Sequence, residues 1–208
     1  MSTFEPDQDA HVPPPAAAAA AAEAVPASHE VSRVRHLVAS ALVTAFMAAA
    51  GWIALPIGPV PITLQVFGVL LAALLLSWEW AAAALGLYFV MGVAGIPVFA
   101  HGTAGVGVVL GPTGGYLIGF VLAAGAGAWL RRALERRGAR QAVADVVAVV
   151  LVIAIIYTVG WLQLALVTAM GLAKAFVVGV LPFLVLDAIK AAVAVTIAMA
   201  VRKSGVRL

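Results

Sequence analysis

Blocks of nearly uninterrupted apolar residues recur along this chain. Each is roughly 17 to 22 residues long, the length at which a helix crosses about 30 Å of hydrocarbon. Nothing constrains the fold more, because lipid offers no hydrogen bonds and a spanning segment must satisfy its own backbone. Barrel strands would instead alternate apolar and polar residues over short runs, and that pattern is missing. Composition agrees: 64% of the residues are hydrophobic and 10% are charged, more apolar surface than a water-soluble domain can hide. The sequence therefore predicts an all-α membrane protein.

Six spans are expected, at about Leu37–Leu55, Leu64–Ser77, Trp80–Val98, Gly114–Leu130, Ala142–Trp161 and Pro182–Val201. The second is short and either begins inside the proline-rich loop before it or lies tilted. Residues 163–180 are apolar but interrupted by Lys174 and glycines, and they read as a long outer loop with a short helix. Residues 1–33 form a Pro/Ala-rich, acid-dotted segment expected to be a disordered cytoplasmic tail, with at most transient helix in its alanine run. Residues 34–208 form the membrane domain. No cleavable signal peptide is apparent at the acidic N-terminus.

Ten of the 12 Lys and Arg lie before the first span (Arg33, Arg35), between the fourth and fifth (Arg131, Arg132, Arg136, Arg137, Arg140) or after the sixth (Arg202, Lys203, Arg207). Cytoplasmic loops collect such residues, so both termini are expected in the cytoplasm. The same distribution assigns the net charge of +3 to topology and argues against a nucleic-acid partner. With no cysteine in the chain, disulfides and thiolate-ligated metals are excluded. A G-x-x-x-x-G-K-[ST] loop is absent, so no ATP binds here through that motif. The sequence offers no G-x-S-x-G, H-E-x-x-H or bis-histidine arrangement either. It is not expected to be an enzyme, to hold a metal or to carry a cofactor.

This orientation puts the unusual backbone outside. Residues 55–65 carry Pro56, Pro59 and Pro61, then Thr63 and Gln65. Three prolines resist helix and remove amide donors, so the segment must be wet or line a protein cavity. The next outer loop holds His101 and runs into Gly111-Pro112-Thr113-Gly114-Gly115-Tyr116. Its glycines suit close backbone approach and expose N–H groups to an anion at the start of the fourth span; tight turns capped by Thr113 would use the same residues. Asp187 and Lys190 sit three apart inside the sixth span, on one helix face. Intramembrane charges usually face a ligand, water or each other. The pair suits an amide or ureido group, and equally a structural ion pair with Asp187 near the helix N-terminus.

Weaker candidates are Tyr157 and Trp161, placed to stack on a ligand or to mark the interface, and Lys174 at the entrance. Glu79 and Asp145 are read as complementing helix dipoles. Ala41, Ala45 and Ala49 make one small-residue stripe and Gly111, Gly115 and Gly119 another, fit for close packing within the chain or against a partner.

The outer motifs Pro59-Val60-Pro61-Ile62-Thr63-Leu64-Gln65, Gly95-Ile96-Pro97-Val98-Phe99, Gly111 to Phe120 and Pro182-Phe183-x-x-x-Asp187-x-x-Lys190 resemble those of the BioY family, in order and spacing. Its members are the biotin-specific S components of energy-coupling-factor transporters. The resemblance covers about residues 36–201. It implies a six-helix S-component fold in a prokaryotic cell membrane, capturing biotin near the outer face under a lid formed by the first outer loop. It implies that Asp187 and Lys190 hold the ureido end of biotin, that Tyr116 and Thr113 line the pocket, and that Ala41 and Ala45 dock a membrane coupling subunit. ATP would be used by partner ATPase subunits only. For the biotin carboxylate, the amides around Gly114 and Gly115, Gln65, His101 and Lys174 all stay open.

Overall fold

The structure, a computed structural model, describes residues 15–204. Its helices in chain order are α1 (Pro15–Trp52), α2 (Gln65–Leu75), α3 (Trp78–Val93), α4 (Val106–Val109), α5 (Gly114–Arg136), α6 (Gln141–Thr168), α7 (Leu172–Gly179) and α8 (Leu181–Lys203), with two short strands, β1 (Ala54–Leu55) and β2 (Ile62–Thr63). The chain divides into two compact units, Met1–Arg35 and His36–Leu208. The second carries the bundle and its cavity. Of the segment expected to be a disordered tail, residues 1–14 lie outside the described residues. From Pro15 the backbone is helical, through the Ala16–Ala22 run, whose residue type has the highest helix propensity.

Among the described residues, four helical stretches are long and apolar enough to cross a membrane: Glu30–Trp52, Gly114–Arg136, Gln141–Thr168 and Leu181–Lys203. The second and third expected spans are shorter than anticipated. At 11 and 16 residues, α2 and α3 reach about 16 Å and 24 Å along their axes. The proline-rich loop delays the start of α2 until Gln65, and α3 ends before the Gly95-Ile96-Pro97 turn. The fifth span runs longer than expected, to Thr168, so the outer loop after it shrinks to a turn and α7.

Helix α5 is the hub, packed against α2, α3 and α6. Its small-residue stripe serves that packing. A methyl group on Gly115 would run into the Val159 carbonyl and the Gln163 side chain of α6, and one on Gly119 would come within 3.1 Å of the Ile156 Cα. The two helices therefore approach closely, as small residues permit in membranes.

The stripe on α1 is different, because Ala41, Ala45 and Ala49 are all exposed. The opposite side of α1 buries Met47 and lets the Thr44 hydroxyl donate to the Ala84 carbonyl of α3 at 3.0 Å.

The first outer loop is more ordered than three prolines suggest. β1 and β2 pair antiparallel, Ala54 opposite Thr63 and Leu55 opposite Ile62. This ribbon satisfies part of a backbone that lipid could not. It leaves 55–59 exposed and turns Val60, Ile62 and Thr63 inward.

Candidate ligand-binding site

Beneath the ribbon lies a half-open cavity, a concave and mostly apolar site of the kind that takes small molecules. Each wall comes from a different element. The ribbon and the start of α2 contribute Val60, Pro61, Thr63, Gln65 and Val66; the loop after α3 adds Phe99 and Ala100. Thr113 stands at the start of α5, which supplies Tyr116, Leu117 and Phe120; α6 supplies Ile156 and Tyr157, and α8 supplies Phe183, Asp187 and Lys190. Most of this lining is aromatic or aliphatic, and its charges gather at one end.

There, about 9 Å along α8 from its first residue, Asp187 is 1% exposed. One carboxylate oxygen accepts from Lys190 Nζ at 2.7 Å and the other from the Tyr157 hydroxyl at 2.7 Å. Lys190 Nζ also donates to the Thr63 carbonyl at 2.8 Å. A carboxylate offers about four acceptor positions and an ammonium three donors. The cluster thus retains acceptor capacity on Asp187 and one donor on Lys190. With its charges cancelling, it favours a neutral group that presents N–H donors beside a carbonyl.

Tyr116 builds the aromatic wall. Its ring packs against Gly160, where a methyl group would collide with it, and its hydroxyl donates to the Gly179 carbonyl at 2.7 Å. The absence of a side chain at Gly160 thus lets α6 approach the Tyr116 ring closely.

Of the ten residues singled out from sequence as ligand-binding, seven line this cavity: Asp187, Lys190, Tyr116, Thr113, Gln65, Thr63 and Tyr157. Gly114 and Gly115 do not. Gly114 is buried against the Val109 carbonyl and Gln163, and Gly115 against Val159, Gly160 and Gln163 of α6; the Gly114 N–H donates to the Gly111 carbonyl. Close packing is what the structure shows for them. Thr113 occupies the helix N-cap position, yet its side chain makes no capping bond. His101 lies just outside, in a second cavity that shares Pro61, Ala100, Val108 and Thr113 with the first. It adopts φ 57°, a left-handed conformation that non-glycine residues seldom take and that histidine tolerates better than most.

Trp161 does not reach the ligand cavity. Its indole N–H donates to the Leu172 carbonyl at 2.8 Å and its ring packs edge-on against Phe176, so it fastens α7. Lys174 is exposed on α7 and lines neither cavity.

Sequence reasoning missed the apolar walls, since Phe99, Phe120, Ile156 and Phe183 look like any other membrane residues. It also missed Gln163, whose side-chain amide donates to the Val109 and Gly111 carbonyls at 2.7 and 3.0 Å and so holds α4 and the glycine-proline turn. A glutamine inside an apolar block was the available signal. The dipole role read for Asp145 is corrected too. It is 0% exposed and clasped by Arg131 and Arg202.

Several apolar helices surrounding a half-open cavity, with a neutralised ion pair at its end, define a multi-pass membrane protein that binds a small molecule. A model of the BioY family matches residues 21–207, and the chain belongs to that family. It is 42% identical to a probable biotin transporter BioY of Pyrococcus horikoshii over 161 residues, 76% of this chain and 90% of the relative. To the biotin transporter BioY of Thermotoga maritima it is 38% identical over 171 residues, 82% of this chain and 97% of the relative. Among solved structures it is similar to the S component for biotin from an ECF-type ABC transporter, with a TM-score of 0.77 and 28% identity, covering 83% of this chain and 93% of that one.

Proposed function

We infer that this chain is the biotin-capturing S component of an energy-coupling-factor transporter and serves biotin uptake across the cell membrane. The observation that carries the reading is the Asp187–Lys190–Tyr157 cluster at the end of an apolar cavity, in a chain whose relatives are named biotin transporters. The ureido ring of biotin has two N–H donors flanking one carbonyl, which matches the capacity left on Asp187 and the third proton of Lys190. Its fused rings and aliphatic tail suit the walls built by Phe99, Tyr116, Phe120 and Phe183. For the carboxylate, Lys174 lines neither cavity and the Gly114 amide is engaged. Gln65 and, towards the second cavity, His101 are the side chains that fit it.

Six crossings with both termini in the cytoplasm accord with the arginine distribution, α2 and α3 being the two short ones. In this reading ATP is hydrolysed by partner subunits, in keeping with the missing P-loop motif in this sequence. The exposed Ala41–Ala45 stripe offers α1 as the docking face for a membrane coupling subunit, with ATPase subunits beyond it. Ala45→Trp is expected to abolish biotin uptake in cells that express the partners, while the purified variant still binds biotin like wild type. Binding lost together with uptake would assign the stripe to folding.

The direct test is calorimetry of the purified protein with biotin and a panel of other vitamins. Tight binding of biotin and of no other vitamin is the expected result. A folded protein that ignores biotin but binds another vitamin would make this an S component of different specificity.

A further inference from the structure

One run of buried hydrogen bonds ties the cover of the cavity to its polar end and to α3. Lys190 holds the Thr63 carbonyl, as described. The Thr63 hydroxyl donates to Gln65 Oε1 at 3.1 Å and accepts from the Gln65 backbone N–H at 3.2 Å. Gln65 Nε2 then donates to the Tyr88 hydroxyl, which donates to the Val98 carbonyl at 3.2 Å. The direction is forced from the far end. A carbonyl can only accept, so Tyr88 must give its proton to Val98 and accept from the glutamine. Exchanging the amide N and O of Gln65 would turn the Tyr88 proton away from Val98.

Both ends of this run belong to segments that cover the cavity. Thr63 ends the ribbon that places Val60 and Pro61 over the cavity, and Val98 leads directly into Phe99 and Ala100. Tyr88 lies between them, 0% exposed and not itself part of the lining. Its ring packs edge-on against Phe99, with centroids 5.7 Å apart. A buried polar network with every member paired is rigid, and deleting one member strands the others.

We propose that Tyr88 is a positioning residue that sets how long the ligand stays: its hydroxyl fastens ribbon 54–63 and loop 98–100 to α3 as one closed roof. The proposal rests on the reading that the cavity captures biotin. Lys190 can hold Thr63 and a ligand carbonyl together, because each takes a different proton of the ammonium. Occupancy and a closed roof are therefore compatible.

The test is Tyr88→Phe in the full-length protein. It keeps the ring and removes only the oxygen. Release of radiolabelled biotin is expected to become roughly tenfold faster with the association rate no slower, the size of effect expected when a buried hydrogen-bond partner is lost. Backbone hydrogen exchange in ligand-free protein should quicken in residues 54–64 and 98–103 and nowhere else. Thr63→Val removes the other end of the run while keeping the carbonyl that Lys190 uses. It should give the same release rate alone as in combination with Tyr88→Phe. It also decides the matter if Tyr88→Phe fails to fold.

A purely structural role would lower the melting temperature and quicken exchange along α3 with biotin release unchanged; that outcome, or unchanged exchange in the two covering segments, overturns the proposal. If wild type fails to bind biotin, the functional reading falls, and the exchange measurement still decides the role of Tyr88.

Discussion

Asp187→Ala is expected to cost about thirtyfold or more in biotin affinity, and Lys190→Ala a comparable amount. Each truncation removes a ligand-facing group and also leaves its partner charged in a mostly apolar surrounding, since Asp187 is buried and Lys190 is 13% exposed. Losing one member of a desolvated, hydrogen-bonded charge pair from a binding site typically costs about 2–5 kcal/mol, or roughly thirty- to several-thousand-fold. Asp187→Asn keeps the shape and one acceptor but replaces the other with a donor, so it should fall between wild type and alanine.

Single variants confound two losses, because a stranded buried charge also destabilises the fold, by about 3–5 kcal/mol. The double change Asp187→Leu with Lys190→Met separates them. An apolar pair of similar volume is often as stable as the ion pair it replaces, so this variant should melt close to wild type and bind no biotin. Calorimetry and thermal unfolding in the same detergent make the comparison. If Asp187→Ala bound biotin within threefold of wild type, the recognition scheme would be wrong.

How much of this was legible in the sequence follows from what each residue must do. Charge in lipid is expensive enough to need a reason, so Asp187 and Lys190 stood out at once, and their spacing put them on one face. The prolines of residues 56–61 marked a segment that cannot be helix, which located the cover of the cavity. They did not reveal the β1–β2 ribbon, a pairing of two residues on each side with no alternating pattern to read. Glycines were legible as close approach but not by partner: Gly114 and Gly115 touch α4 and α6, not the ligand cavity. The cavity wall was illegible, because Phe120 and Phe183 differ from lipid-facing residues only by the direction they point. The same holds for Tyr88, whose partners Gln65 and Val98 are 23 and 10 residues away. Helix ends were misjudged where outer loops fold inward, since hydropathy reports burial without distinguishing lipid from protein.

The second large effect is expected at the arginine-rich end of the bundle. Asp145, in α6, accepts from Arg131 Nε of α5 at 2.8 Å and from Arg202 of α8. Arg131 also reaches Glu135 at 2.9 Å, and Arg202 donates to the Leu74 carbonyl of α2 at 3.2 Å. One buried carboxylate thereby joins four helices. The sequence reading counted Arg131 and Arg202 only as topological signals, and their second role depends on an acid 14 and 57 residues away.

Asp145→Ala would leave two guanidinium groups facing each other without their shared counter-charge. The expected loss is about 3–5 kcal/mol, a large part of a typical stability of about 5–15 kcal/mol. For a chain of this length that lowers the melting temperature by roughly 6–20 °C. Replacing the whole clasp (Arg131→Met, Asp145→Leu and Arg202→Met) should recover most of the loss, because no charge is then stranded. Asp145 does not line the cavity, so both variants should bind biotin with unchanged affinity wherever they remain folded.

The two buried acids thus answer the same treatment in opposite ways. An apolar replacement of the Asp187 pair folds and does not bind; an apolar replacement of the Asp145 clasp folds and binds. A melting temperature for Asp145→Ala within about 1 °C of wild type would show that the clasp contributes nothing to stability.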